Sequence, residues 1–122
     1  MPVLPVIGGA IVGGAFAALV RRRQGPFLLA AILAAIAIVH PLFALVAGED
    51  LLHQAVGAGA FLALAALGLR AGTTFLALAI VAHGGWDALL IATGGAVPEW
   101  YSASCIGFDL ALGAVVLLRR RT

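Results

Sequence analysis

The chain has no lysine, a single cysteine and little charge of any kind. Without lysine there is no Schiff base and no lysine general base. With Cys105 alone there is no internal disulfide, no CxxC redox pair and no thiolate-rich metal centre. Charged residues are 10% of the 122 and hydrophobic residues 64%. A soluble domain of this size buries only about two-thirds of its surface, so it could not hide that much apolar side chain. A soluble fold is excluded on that ground. The opening Met1-Pro2-Val3-Leu4-Pro5 lacks the basic n-region of a signal peptide, so the first apolar segment is expected to remain as a helix.

What is present is arranged by sign. All seven basic residues are arginines: Arg21, Arg22 and Arg23, then Arg70, then Arg119, Arg120 and Arg121. Each group follows an odd-numbered apolar segment, and acidic loop residues follow the even-numbered ones. Segments of roughly 20 apolar residues span a bilayer, and arginines gather on the cytoplasmic side. The sequence therefore predicts an all-α, polytopic transmembrane helical bundle forming one domain over 1–122. Its five spans are expected at about 3–20, 27–47, 51–69, 73–93 and 101–118. The N-terminus is outside and the C-terminus cytoplasmic, as a multi-pass protein of a cell's inner (plasma) membrane. A four-span chain with a re-entrant first segment is the alternative. The isoelectric point of about 9.5 reflects arginines at helix ends facing lipid headgroups, not nucleic-acid binding. Gly9 and Gly13, with Gly8, Gly14 and Ala10 beside them, form a small-residue stripe that lets two backbones approach. It serves packing within the chain or a homodimer face.

Ionisable groups inside a bilayer are costly and mark sites. His40 lies in the outer half of span two, next to Pro41, which frees a carbonyl near Ala37. Glu49, Asp50 and His53 open span three. His83 is near the middle of span four, with Asp87 one turn outward at i,i+4. Asp109 is near the middle of span five, with Cys105 one turn outward. The inner halves are almost wholly Ala, Leu, Val, Ile and Gly. Polar groups from four helices at one level are best satisfied around a shared pocket open to the outside. His83, Asp87 and Asp109 are the expected acid/base groups. His40, Glu49, Asp50, His53, Trp86 and Cys105 are the expected ligand contacts, with only one of the two loop acids turned inward. Glu99 is expected to be a solvated loop residue. The bland alternatives are a carbonyl-bonded His40, ordinary loop acids at 49 and 50, a packing role for Cys105, and a structural lock for His83 with Asp87. No metal is assigned: His40, His53 and His83 lie at similar depth, but no ligand spacing of the HExxH kind is present.

The run HGGWDALL, then Pro98, then Cys105 and Asp109 resembles an uncharacterised family of small bacterial integral membrane proteins with an HxxWD…P…CxxxD signature, here His83, Trp86 and Asp87, Pro98, Cys105 and Asp109. The resemblance covers about the last two-thirds of the chain. It implies the same order of spans and the same site location, and no activity. Family members often carry two histidines where this chain has Leu90 and Ile91, which weakens a metal site built on that pair. The residues support an outward-facing intramembrane His/Asp pocket for a small or lipidic molecule, with acid/base chemistry. The alternatives are a proton-coupled small-solute transporter, dimeric or not, a metal- or haem-binding membrane subunit, and a non-catalytic subunit. The expected partners are the bilayer, a lipid or small-molecule ligand and a second copy through the Gly9/Gly13 face. Neither an enzyme nor a cofactor is specified.

Overall fold

The computed structural model describes residues 3–20 and 25–119. The Arg21–Arg23 triplet, Arg120 and Arg121 lie outside the described residues. Every element among the described residues is a helix: α1 (Val3–Leu19), α2 (Gly25–Ala47), α3 (Leu51–Ala71), α4 (Thr73–Thr93) and α5 (Glu99–Arg119). α2 to α5 are each long and apolar enough to cross a membrane. α1 has 17 residues, about 26 Å of helix, and falls short of the roughly 30 Å hydrocarbon core.

The ends differ from the sequence reading by a few residues, for local reasons. α5 starts at Glu99 rather than 101, because the Pro98 carbonyl accepts from the backbone N–H groups of Tyr101 and Ser102 at 3.1 and 3.2 Å. Glu99 then sits in the first turn, where the helix dipole favours an acid. α2 starts at Gly25, with Pro26 in its first turn. α3 runs on through Arg70 and Ala71 to Gly72, whose N–H bonds the Gly68 carbonyl.

An apolar core is joined by buried polar groups, and large apolar side chains also lie at the surface. His40, Gln54, His83, Asp87, Ser102 and Asp109 are buried, while Leu4, Phe27, Val46 and Leu52 stand exposed. Exposed apolar faces on several helices fit a lipid surround. Helices are the form that satisfies backbone groups there without water.

α5 is the hub, packed against α1 on one side and α4 on the other; α2 pairs with α3, and both touch α4. The α1–α5 contact is the closest. Gly9 lies against the Ser104 backbone, Gly13 against that of Phe108, and Gly107 against the Val6 carbonyl and Ala10 nitrogen. Residue numbers rise together on both helices, so they run parallel. Phe16 meets Phe108 edge to face at 5.4 Å, and Arg119 donates to the Val20 carbonyl at 3.0 Å at the far end. The Gly9/Gly13 stripe is thus used within the chain. A second copy docking there would have to displace α5.

Candidate functional site

Three helices each send polar groups to one point. On α4, His83 and Asp87 are one turn apart and face inward with Ile80 and Leu90. On α5, Tyr101, Cys105 and Asp109 repeat at four-residue spacing and so share a face. On α2, His40 faces inward with Leu33, Ala37 and Ala44. On the side toward the α3–α4 turn, Leu29, Leu33, Leu76, Ile80 and Leu112 are fully buried and close the cluster.

His40, His83, Asp87 and Asp109 meet there, and none is more than 1% exposed. His40 Nε2 and Asp87 Oδ1 are 2.8 Å apart. His83 Nδ1 donates to Asp109 Oδ2 at 2.9 Å. The same nitrogen lies 3.1 Å from Asp87 Oδ2, an ion-pair distance without hydrogen-bond alignment. His40 and His83 meet edge to face at 5.0 Å. The edge of Phe61, from α3, lies against His83 at 4.8 Å.

Hydrogen-bond roles constrain the protons. His40 Nδ1 faces the Ile36 carbonyl at 3.0 Å. A carbonyl only accepts, so Nδ1 carries a hydrogen. The bond from Nε2 to Asp87 then needs one more proton, on the imidazole or on the acid. The Ile36 carbonyl also accepts from the Tyr101 hydroxyl at 3.4 Å. The His40 ring thus folds back over its own helix by one turn to the Ile36 carbonyl, one residue before the Ala37 carbonyl that lacks an N–H partner from Pro41. Three buried atoms of the cluster keep unused capacity: His83 Nε2, Asp87 Oδ2 and Asp109 Oδ1 have no hydrogen-bond partner.

Tyr101 covers the cluster on the side toward the α4–α5 connection. Its ring lies 5.5 Å from His40 and 5.1 Å from Phe43, and the Cys105 thiol lies alongside its hydroxyl. In this conformation the cluster is sealed, so the outward opening expected from the sequence would require this layer to move.

The remaining predicted residues form a separate outer rim. Asp50 accepts from Gln54 Nε2 at 2.8 Å, from the Ala96 backbone N–H at 3.3 Å and from His53 Nδ1 at 3.2 Å. Its carboxylate ties the α4–α5 connection to α3 instead of capping α3. Asp50 takes a left-handed φ of 65°, which Asp and Asn tolerate better than other side chains. His53 is 49% exposed and lies 5.2 Å from the Trp86 ring. Trp86 packs against Gly57 and stands in the rim, not in the buried cluster. Glu49 and Glu99 are exposed. Of the two loop acids only Asp50 is drawn inward.

The Gln54 hydrogen bond, with smaller help from Ala96 and His53, holds the Asp50 carboxyl below its ordinary 3.8. A lowered folded value means stability present above 3.8 and lost as the pH falls through the lowered value. Protection of the Ala96 amide, corrected for intrinsic exchange, is expected to fall on acidification through that window. Asp50→Asn, which keeps the turn, is expected to leave that amide weakly protected at every pH. Equal protection in wild type and Asp50→Asn would remove the tie.

Sequence reasoning did not single out Gln54, Phe61 or Ser102, and gave Tyr101 no part in the site. Tyr101 carried a signal, its four-residue spacing from Cys105. Gln54 did too, four residues after Asp50. Phe61 carried none, since an apolar ring on an apolar helix has no mark.

The donor atoms of His40, His83 and Asp87 lie within 4.8 Å of one another. His53, the third histidine considered for a metal, pairs with Asp50 instead. An apolar groove between α2 and α3, lined by Phe27, Ala30, Ala34, Leu62, Ala66 and Leu69 among others, shares no residue with the cluster. No family model, curated protein or solved structure matches the chain.

Proposed function

We propose that the chain is a five-span protein of a bacterial plasma membrane, N-terminus outside and C-terminus cytoplasmic. Its working part, in this reading, is the His40–Asp87–His83–Asp109 cluster, a cation-binding centre loaded from the outer side. The arginines that follow α1, α3 and α5 support the orientation. The parallel α1–α5 contact supports counting the short α1 as a span, since arginine side chains and local thinning make up a small deficit in length.

The observation that carries the reading is the interlocking of four ionisable side chains, from three apolar helices, with almost no exposure. Two carboxylates and two neutral imidazoles sum to two negative charges. A low-dielectric interior strongly disfavours that charge, so the centre must hold about two positive charges, as protons or as a bound cation. A purely structural lock needs no such requirement, because amides and hydroxyls hold helices together without it. The apolar floor of Leu29, Leu33, Leu76, Ile80 and Leu112 favours access from one side. Acid/base chemistry on a small or lipidic molecule would draw on the same His83, Asp87 and Asp109. The HxxWD…P…CxxxD resemblance agrees with the location of this centre.

The test is charge displacement in proteoliposomes adsorbed on a sensor, with the outer solution stepped in pH in the absence of divalent cations. Wild type is expected to give a saturable transient current for at least one step. Asp109→Asn should reduce it to the level of protein-free liposomes. A wild-type response equal to protein-free liposomes for every step would overturn the reading.

A further inference from the structure

We infer that this centre binds one first-row divalent metal ion of the Zn²⁺, Co²⁺ and Fe²⁺ class, through His40 Nε2, His83 Nδ1 and a carboxylate oxygen of Asp87, with Asp109 supplying the second negative charge. The inference rests on the reading of the cluster as a cation centre and specifies its cation.

Four observations point the same way. The donor atoms of His40, His83 and Asp87 already lie within 4.8 Å of one another. A metal with bonds of about 2.0–2.2 Å holds neighbouring donors about 3.3 Å apart. His40 Nε2 lies 2.8 Å from Asp87 Oδ1 and His83 Nδ1 lies 3.1 Å from Asp87 Oδ2, so the two imidazoles flank the one carboxylate, and a metal held by both would draw on either or both of its oxygens.

The second is the anchoring of His40. Its Nδ1–H is held by the Ile36 carbonyl at 3.0 Å. Metal-binding histidines typically donate the other ring N–H to a carbonyl or carboxylate, which fixes the tautomer and turns the free lone pair to the metal. Here that leaves Nε2 turned toward Asp87. His83 would ligate through Nδ1, the nitrogen already turned to both carboxylates, and would carry its proton on Nε2.

The third is unused acceptor capacity. Asp87 Oδ2 and Asp109 Oδ1 are buried without a hydrogen-bond partner. A carboxylate lone pair left bare in a dry interior is costly, and a cation among these oxygens removes the cost.

The fourth is charge. With both imidazoles neutral and both acids ionised, a divalent ion makes the centre neutral. That is the same net charge as the form that holds two protons, so one metal ion and two protons would exchange without leaving net charge in the bilayer. Uptake of the metal would release about two protons per ion. Imidazole donors select for the zinc–cobalt–iron class. Ca²⁺ prefers six to eight oxygen ligands and Mg²⁺ near-octahedral oxygen, which two histidines and two carboxylates do not supply.

The experiment uses the purified full chain in detergent, stripped of metal and then titrated with Co²⁺, with Mg²⁺ as control. Wild type is expected to bind one Co²⁺ per chain and develop visible d–d absorption, with release of about two protons. It should gain thermal stability with Co²⁺ or Zn²⁺ but not with Mg²⁺. His40→Gln and Asp87→Asn should each lower the affinity at least about tenfold and lose the absorption, in line with the loss of a metal-supporting contact. Glu99→Gln, at an exposed position, should behave as wild type. The thermal shift on wild type stands even where a variant does not fold. Absence of the shift and of Co²⁺ absorption in wild type would overturn the inference, as would unchanged Co²⁺ binding in both variants. If the metal assay fails while a pH step still displaces charge through Asp109, the metal inference falls and the cation centre stands.

Discussion

Asp87→Ala is expected to destabilise the bundle by about 3–5 kcal/mol, the usual cost of removing one partner from a buried charged pair. Asp87 contacts both buried histidines, at 2.8 Å from His40 and 3.1 Å from His83. Truncation leaves His40 Nε2 facing an apolar void, with its other nitrogen still committed to the Ile36 carbonyl. Asp87→Asn keeps the shape and one acceptor, and should cost less, about 1–3 kcal/mol. The double variant His40→Leu/Asp87→Leu should lose less than the sum of the two single changes, because an apolar pair of similar volume often replaces a buried ion pair at small cost. Unfolding in mixed micelles, run as a double-mutant cycle, checks this. A coupling of about 0.5–3 kcal/mol is expected for residues in direct contact. Strict additivity would mean that the two side chains do not interact in the folded protein.

The second large effect concerns α1 and α5. Gly107→Val places a side chain into the Val6 carbonyl and the Ala10 nitrogen, and Gly9→Val into the backbone of Ser104. These neighbours are backbone and cannot rotate away, so the helices must separate. Overpacking costs about 1–3 kcal/mol where side chains can yield, and backbone contact puts this case at the upper end or beyond it. Gly8 and Gly14 sit beside Gly9 and Gly13 in sequence but have open space where a Cβ would lie. Gly8→Val and Gly14→Val should therefore stay within about 0.5 kcal/mol of wild type. Thermal unfolding of the four single variants reads the contrast. If all four behave alike, α1 does not pack on α5 through this face.

How much of this was legible in the sequence depends on what carries the information. The helices were, because apolar runs bounded by Arg70, by Gly48-Glu49-Asp50 and by Gly94 to Pro98 leave few other foldings. The convergence of His83, Asp87 and Asp109 was, because an ionisable group in a bilayer is too costly to stand alone. The proton arrangement was not. It depends on the His40 ring reaching back to Ile36, a rotamer choice that spacing does not encode. Nor was the division of the polar residues into two groups. Asp50 bonds Ala96 in the α4–α5 connection and holds His53 beside Trp86 there, a pairing that residue spacing does not encode. The sealed state was also hidden, since Tyr101 reads equally well as an interfacial ring and as a cover over His40. The use of the glycine stripe was left open between two faces, and only the opposing α5 backbone decides it.

The central claim is that His40, His83, Asp87 and Asp109 form one interlocked set within the bilayer. Solid-state NMR of the protein in lipid, with ¹⁵N-labelled histidine and ¹³C-labelled aspartate, measures it most directly. The expected result is through-space contact from His40 Nε2 to the Asp87 carboxyl carbon and from His83 Nδ1 to that of Asp109, with both signals slow to exchange with water. Histidine side chains that show no carboxyl contact and exchange freely would contradict it.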